Sequence, residues 1–134
     1  SMIGYRKGKL LWFGTVGARL EDYLTWLPCR FVLLTLPLVS KPLLDFSKVV
    51  KKSYKEGKKD LSPNSGLSES IFANCGSVRM GGINKYQNKF ISKPILAREG
   101  QMPNKESVFK LLEISLRLEA FWLLFILIFS IILI

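Results

Sequence analysis

The last 15 residues of the chain, Ala120 to Ile134, contain no charged side chain, and their one hydroxyl is Ser130. A helix over them has no polar face, whereas a helix on the surface of a soluble domain keeps one. The block therefore points to a membrane. Fifteen residues rise roughly 22 Å against a hydrocarbon core of about 30 Å, which leaves a buried core helix as the competing reading. Extension back through Leu118, with Arg117 and Glu119 snorkelling toward headgroups, brings the helix closer to spanning length. Its C-terminal position sets it apart from a secretory signal.

A second apolar block, Tyr23 to Ser40, is interrupted only by Arg30. The pattern predicts a helix over Leu10 to Leu27, following a basic, loop-like Gly4 to Gly8, with a kink at Pro28 and an end at Pro37. Basic residues flank this block on both sides, so a re-entrant or interfacial element fits as well as a crossing. The net charge of +10 comes mainly from the middle, where Lys41 to Lys59 holds seven lysines. Such a run beside membrane segments is retained on the cytoplasmic side and attracts anionic lipid. Nucleic acid is not an expected partner, because Tyr54 is the one aromatic interleaved among the lysines from Lys48 to Lys59 and available for stacking on bases. Lys41 to Asp60 reads as an amphipathic surface helix with Leu43, Leu44, Phe46, Val49 and Val50 on its apolar side.

Ser62-Pro63-Asn64-Ser65-Gly66 reads as a turn. A helix over Ser68 to Met80 follows, with Ile71, Phe72, Cys75 and Val78 on one face and Gly81-Gly82 as its stop. Asn84 to Asn104 reads as polar loop, and Lys105 onward as one long helix. There is no histidine, and Cys29 and Cys75 form no ligand pair, so neither zinc nor haem is expected. The expected fold class is mainly α: a helical integral membrane protein fragment with polar connecting loops.

On a helix of 100° per residue, Asp22, Tyr23, Trp26 and Arg30 fall within about 60° of Arg19, beside an apolar sector of Leu20, Leu24, Leu27 and Phe31. An arginine inside a membrane segment costs about 2.5 to 3.5 kcal/mol on insertion scales, so Arg30 needs a protein, water or charged partner. Snorkelling of Arg30, with Arg19 and Asp22 as an ordinary helix pair, is the plainer alternative. The Ser62–Gly66 loop before Ser68-Glu69 is a candidate anion cradle, against which stands simple capping by Asn64 or Ser68. Gly76 to Gly82 is no phosphate-binding P-loop, since Ile83 and Asn84 stand where Lys and Ser/Thr are required.

Three stretches also carry a family pattern. Ser1-Met-Ile-Gly-Tyr5 with Trp12-Phe13-Gly14 is similar to S-M-hydrophobic-G-Y and aromatic-F-G. Ala18-Arg-Leu-Glu-Asp22-Tyr-Leu-Thr-Trp-Leu-Pro28-Cys-Arg30 is similar to A-R-L-D-D followed by N-W/Y-I-P-A-R. Ser62-Pro-Asn-Ser-Gly66 with Glu69-Ser and Val78-Arg79-Met-Gly81-Gly82-Ile-Asn84-Lys-Tyr86 resembles S-P-N-A-G-x-P-E-A and V-R-L-G-G-x-N-x-Y. Together they resemble the CobD/CbiB family of adenosylcobinamide-phosphate synthases, firmly from Ser1 to about Tyr86. Departures are Glu21 for Asp, Thr25 for Asn, Cys29 and Ser65 for Ala, Ser68 for Pro, and Asn74 for a small apolar residue.

The resemblance implies that residues 1–134 are the C-terminal part of a single membrane-embedded domain, multi-pass in the cell membrane, with its N-terminal part outside this chain and the basic loop 41–60 cytoplasmic. It implies ligation of aminopropanol or its phosphate to a propionate of adenosylcobyric acid, using ATP and Mg2+. For such chemistry Arg19, Arg30 and Arg79 suit phosphate and carboxylate groups by residue type. Asn64, Gly66 and Asn84 suit anion binding. Glu21, Asp22 and Glu69 are the candidate catalytic carboxylates, with Asp22 and Glu69 as Mg2+ ligands. Two rival readings are a non-enzymatic membrane adaptor, with its basic middle on lipid, and a basic nucleic-acid-binding fragment.

Overall fold

The computed structural model describes residues 11–40, 45–86 and 89–133. Its elements run α1 (Leu11–Val39), α2 (Phe46–Gly57), α3 (Pro63–Gly76), β1 (Met80–Tyr86), β2 (Lys89–Leu96) and α4 (Lys105–Leu133). Gly4 to Gly8 and the expected apolar residues Leu43 and Leu44 lie outside the described residues.

The 29-residue α1 passes through both Pro28 and Pro37, which corrects the expected end at Pro37. Packing overrides local propensity here. Leu33 and Leu36, one turn apart just before Pro37, are 5% and 0% exposed in the main core, which they share with Leu67, Ile71 and Cys75 of α3 and Ile114 and Leu118 of α4. The helix closes only at Ser40, whose N–H donates to the Leu36 carbonyl at 3.1 Å and whose hydroxyl donates to the Pro37 carbonyl at 2.9 Å.

Rather than lying free on a surface, α2 packs its Val49, Val50, Ser53 and Gly57 side inward, and the exposed Lys48, Lys51, Lys55, Lys58 and Lys59 follow the opposite side. Its contact with α3 uses small residues at four-residue spacing on both helices, Ser53 with Gly57 and Gly66 with Ser70. Such pairs let two backbones approach closely. A Cβ on Gly57 would lie 2.6 Å from the Gly66 carbonyl oxygen, and one on Gly66 would lie 2.3 Å from that of Gly57.

The expected turn at Ser62–Gly66 is instead the first turn of α3. Pro63 occupies the first helical position, where its missing N–H costs nothing and its fixed φ is already helical. The Gly66 N–H donates to the Ser62 carbonyl at 2.8 Å, so Ser62, rather than Asn64 or Ser68, stands at the cap. The helix also stops earlier than Met80. Ser77 turns left-handed at φ 55°, and the Val78 N–H closes the end on the Ala73 carbonyl at 2.9 Å.

Where a helix stop and then polar loop from Asn84 were expected, β1 and β2 form an antiparallel hairpin pairing Gly82 with Lys93, Ile83 with Ser92 and Lys85 with Phe90. Gly81 and Gly82 do not stop a helix; both adopt φ +86° at an irregularity in β1 opposite Pro94. A side chain at Gly81 would put a Cβ 1.9 Å from the Pro94 carbonyl oxygen, so only glycine fits.

The long C-terminal helix is as expected. Asn104 and Ser107 cap it reciprocally, each accepting the other's backbone N–H at 2.8 Å. Its first half reaches the core through Ile114 and Leu118, whereas every large apolar side chain from Leu123 to Leu133 is between 55% and 74% exposed. Trp122 joins it to α1, donating to the Thr35 hydroxyl at 3.1 Å and meeting Phe31 edge-on. Both α4 and the Thr15–Val39 part of α1 are long and apolar enough to cross a membrane.

Cys75 is 2% exposed, and burial pushes its thiol up to about 11, against a smaller opposing effect of a hydrogen bond with Ser40. At pH 8 its thiolate is scarcer than that of an ordinary cysteine by roughly 100-fold, so maleimide labelling of the native protein should be slower by at least that factor. The rate should rise with pH and become ordinary on unfolding, which mass spectrometry of the Cys75 peptide checks.

Candidate active site

Asn64, in the first turn of α3, is 7% exposed and turned toward α1. Its amide nitrogen donates to the Asp22 carbonyl at 2.7 Å and to the Thr25 hydroxyl at 3.3 Å, and its amide oxygen accepts from Arg30 Nη1 at 3.4 Å. One side chain thus ties the start of α3 to two successive turns of α1. Thr25 takes part while its own hydroxyl donates to the Glu21 carbonyl at 2.7 Å, so its departure from the family Asn keeps a polar partner.

Arg30 donates from Nη1 to the Trp26 carbonyl at 2.8 Å, and its guanidinium carbon sits 3.9 Å from the Trp26 ring centroid. Stacking on an indole suits the planar, weakly hydrated guanidinium and leaves part of the fork for a ligand. Arg19, Asp22, Tyr23, Trp26, Arg30 and Asn64 line an open cleft of about 390 Å³. The polar stripe read from helical spacing is therefore one wall of a cavity, and Asn64 supplies the other. Another cleft, of about 420 Å³ between α1 and α4, is lined by Phe31, Thr35, Phe121, Trp122, Phe125 and Ile126. It contains no titratable group and therefore offers no acid–base or ionic chemistry.

The remaining candidates sit elsewhere. Glu21 is on α1 outside the cleft lining. Glu69 is further along α3, where it accepts from the Ser65 hydroxyl at 3.0 Å and pairs with Lys93 of β2 at 3.6 Å. Gly66 forms the α2–α3 contact, and its N–H is already used within the helix. Arg79 is exposed between α3 and β1, its backbone N–H donating to the Gln101 carbonyl at 2.9 Å. Asn84 lies in β1 opposite Ile91, with its amide nitrogen 3.4 Å from the Gly82 carbonyl.

Among the described residues, no group of three or more His, Cys, Asp or Glu side chains is placed to hold a metal. The donor set suits Mg2+ in only one way: as an ion arriving on nucleotide phosphates and needing one or two carboxylates, for which Asp22 stands in the cleft. Sequence reasoning missed Glu56. It is the one carboxylate between Asp45 and Asp60, and its Oε2 accepts from Asn74 Nδ2 at 2.9 Å and from the Ala97 N–H at 3.0 Å. A lone acid in a lysine-rich helix, one residue before the inward-facing Gly57, was the available signal. Asn74, polar where the family pattern has a small apolar residue, finds its partners in Glu56 and the Ser70 carbonyl.

The family model described as CobD/Cbib protein matches residues 1–115. Among curated proteins, the chain is 43% identical over 96 residues to the cobalamin biosynthesis protein CobD of Synechocystis, covering 72% of this chain and 27% of that protein. It is 37% identical over 97 residues to the Leptospira interrogans protein of that name, covering 72% and 31%, and 32% identical over 105 residues to that of Mycobacterium tuberculosis, covering 77% and 33%. The chain thus spans about a third of the length of these relatives or less. No solved structure matches it. The matched region contains α1, α2, α3, the hairpin and the cleft they build, and the chain belongs to the CobD/CbiB protein family of cobalamin biosynthesis.

Proposed function

We propose that the chain forms part of a membrane-embedded ligase that joins aminopropanol, or its phosphate, to a propionate of adenosylcobyric acid at the expense of ATP. The observation that carries this reading is the cleft at the α1–α3 junction, where Arg19, Arg30, Asp22 and Asn64 converge. Amide formation from a carboxylate needs anions held, a carboxylate activated and an ammonium deprotonated. Arg19 and Arg30 hold phosphate oxygens with planar, multiply donating groups. Asn64 orients Arg30. Arg79, outside the cleft, is left for a carboxylate of the corrinoid, with Asn84 in the strand that follows it. Bound MgATP supplies the activating phosphoryl group, and Asp22 is the carboxylate to meet the ion, with Glu21, its neighbour in sequence, and Glu69, on α3, as candidate bases.

The apolar, exposed second half of α4 supports residence in a bilayer, since a water-soluble surface rarely leaves so large a contiguous apolar patch. The lysine side of α2 then faces anionic headgroups on the cytoplasmic side. That lysine side also favours the second reading, a non-enzymatic membrane adaptor. Full-length protein carrying this chain, in lipid nanodiscs with adenosylcobyric acid, aminopropanol phosphate, ATP and Mg2+, separates the two. Amide product that requires ATP supports the ligase; lipid binding without product supports the adaptor.

A further inference from the structure

The hairpin that carries Asn84, and at whose base Arg79 stands, is tied to the helices at one carboxylate. Glu56 Oε2 accepts from Asn74 Nδ2 at 2.9 Å and the Ser70 hydroxyl at 3.4 Å on α3, and from the Ala97 N–H at 3.0 Å just past β2. Ala97 is 3% exposed and has φ 46°, a left-handed conformation that a residue with a Cβ adopts rarely. A charge-assisted bond to its N–H holds it there. Ala97 opens the turn that closes the hairpin's base: the Gly100 N–H donates to the Ala97 carbonyl at 2.7 Å, the Gln101 N–H to the Ser77 carbonyl at 2.9 Å, and the Arg79 N–H to the Gln101 carbonyl at 2.9 Å. The bonds therefore run without a break from Glu56 through the turn to Arg79.

The direction of the hairpin follows from its contacts. Lys93 pairs with Glu69, and farther on Leu96 and Ala97 pack against Ala73, so β2 advances along α3 in the same sense. The Tyr86–Lys89 end of the pair accordingly lies toward the start of α3, where Asn64 lines the cleft. From Glu69 back to Asn64 the helix rises roughly 7.5 Å, and from Lys93 back to Phe90 the strand covers roughly 10 Å. The strand is thus long enough to draw level with the cleft.

We propose that Glu56 is a positioning residue, which sets the Arg79–Asn84 arm against α3 and so fixes the distance and orientation of Arg79, at the base of the arm, relative to the phosphate-binding cleft near its other end. The functional half of this inference rests on the ligase reading; the latch itself does not. The test uses Glu56→Gln and Glu56→Ala in the full-length protein in nanodiscs, read by hydrogen exchange and by steady-state kinetics. Exchange at Ala97, Gln101 and the hairpin amides should rise roughly tenfold in Glu56→Ala and less in Glu56→Gln, whose side-chain carbonyl can still accept from Ala97, while the Leu67–Cys75 amides keep their protection. KM for the corrinoid acid should rise roughly tenfold and KM for ATP stay within about twofold, a split that a general loss of folded enzyme does not produce. Unchanged hairpin exchange in Glu56→Ala overturns the latch. A loosened hairpin with both KM values unchanged overturns the positioning role. Absence of turnover in the unsubstituted protein overturns the ligase reading and the positioning role that rests on it, while hydrogen exchange still decides the latch.

Discussion

Gly66→Ala is expected to cost about 3 kcal/mol or more of stability, although alanine is the better helix former by about 0.8 to 1 kcal/mol. The new Cβ would sit 2.3 Å from the Gly57 carbonyl oxygen and 2.6 Å from the Asp60 Cβ. The first of these is backbone in the last turn of α2, which no rotamer change moves. Relief requires α2 and α3 to separate, and that loosens Val49 and Val50 against the core cluster to which Leu67 and Ile71 belong, beyond the usual overpacking cost of about 1 to 3 kcal/mol. Gly57→Ala should behave alike, its Cβ falling 2.6 Å from the Gly66 carbonyl oxygen. For a chain of this size the loss corresponds to a fall in Tm of about 10 °C or more, measured by thermal unfolding in detergent or nanodiscs. A Tm that stays put or rises would show that the helices are not in contact there. The same experiment separates two reasons for a glycine in the Ser62–Gly66 segment, close packing of helices and backbone access for an anion, since only packing moves Tm in the absence of ligand.

The parts of the fold written in long-range repetition were legible in the sequence. The uncharged second half of α4 follows from an unbroken apolar run and the Arg19–Arg30 stripe of α1 from one helical period, and both are present. What misled were signals with two meanings. Ser-Pro begins a helix as well as a turn, and here it starts α3. Proline ends an isolated helix, yet Pro37 is carried because Leu33 and Leu36 are locked in the core. Gly81-Gly82 and Pro94 suggest loop, but the glycines supply the positive φ of an irregular strand opposite the proline. The partners of Asn64 and Glu56 lie 34 to 42 and 14 to 41 residues away, so only the fold reveals them. Residue type and spacing marked Asn64 as polar at a helix start; they gave no sign that it would face Arg30.

The second large effect is on chemistry. Asn64 is bonded to the backbone carbonyl of Asp22, not to its carboxylate, so Asp22→Ala leaves the α1–α3 tie in place. The exposed carboxylate stands in a cleft with Arg19 and Arg30, where its loss removes the one acidic side chain among the lining residues. In the proposed ligase this deletes the group that meets MgATP and unbalances two cations, at a cost of roughly 100-fold in turnover, equivalent to about 2.7 kcal/mol. The stability cost should be small, within about 0.5 kcal/mol for an exposed side chain whose carboxylate has no hydrogen-bond or ion-pair partner among the described residues. Turnover of full-length Asp22→Ala protein, beside its Tm, is thus the most direct measurement of whether the α1–α3 cleft is where the chemistry occurs. Amide formation is expected to fall roughly 100-fold at unchanged Tm; turnover within about twofold of the unsubstituted protein would place the chemistry elsewhere.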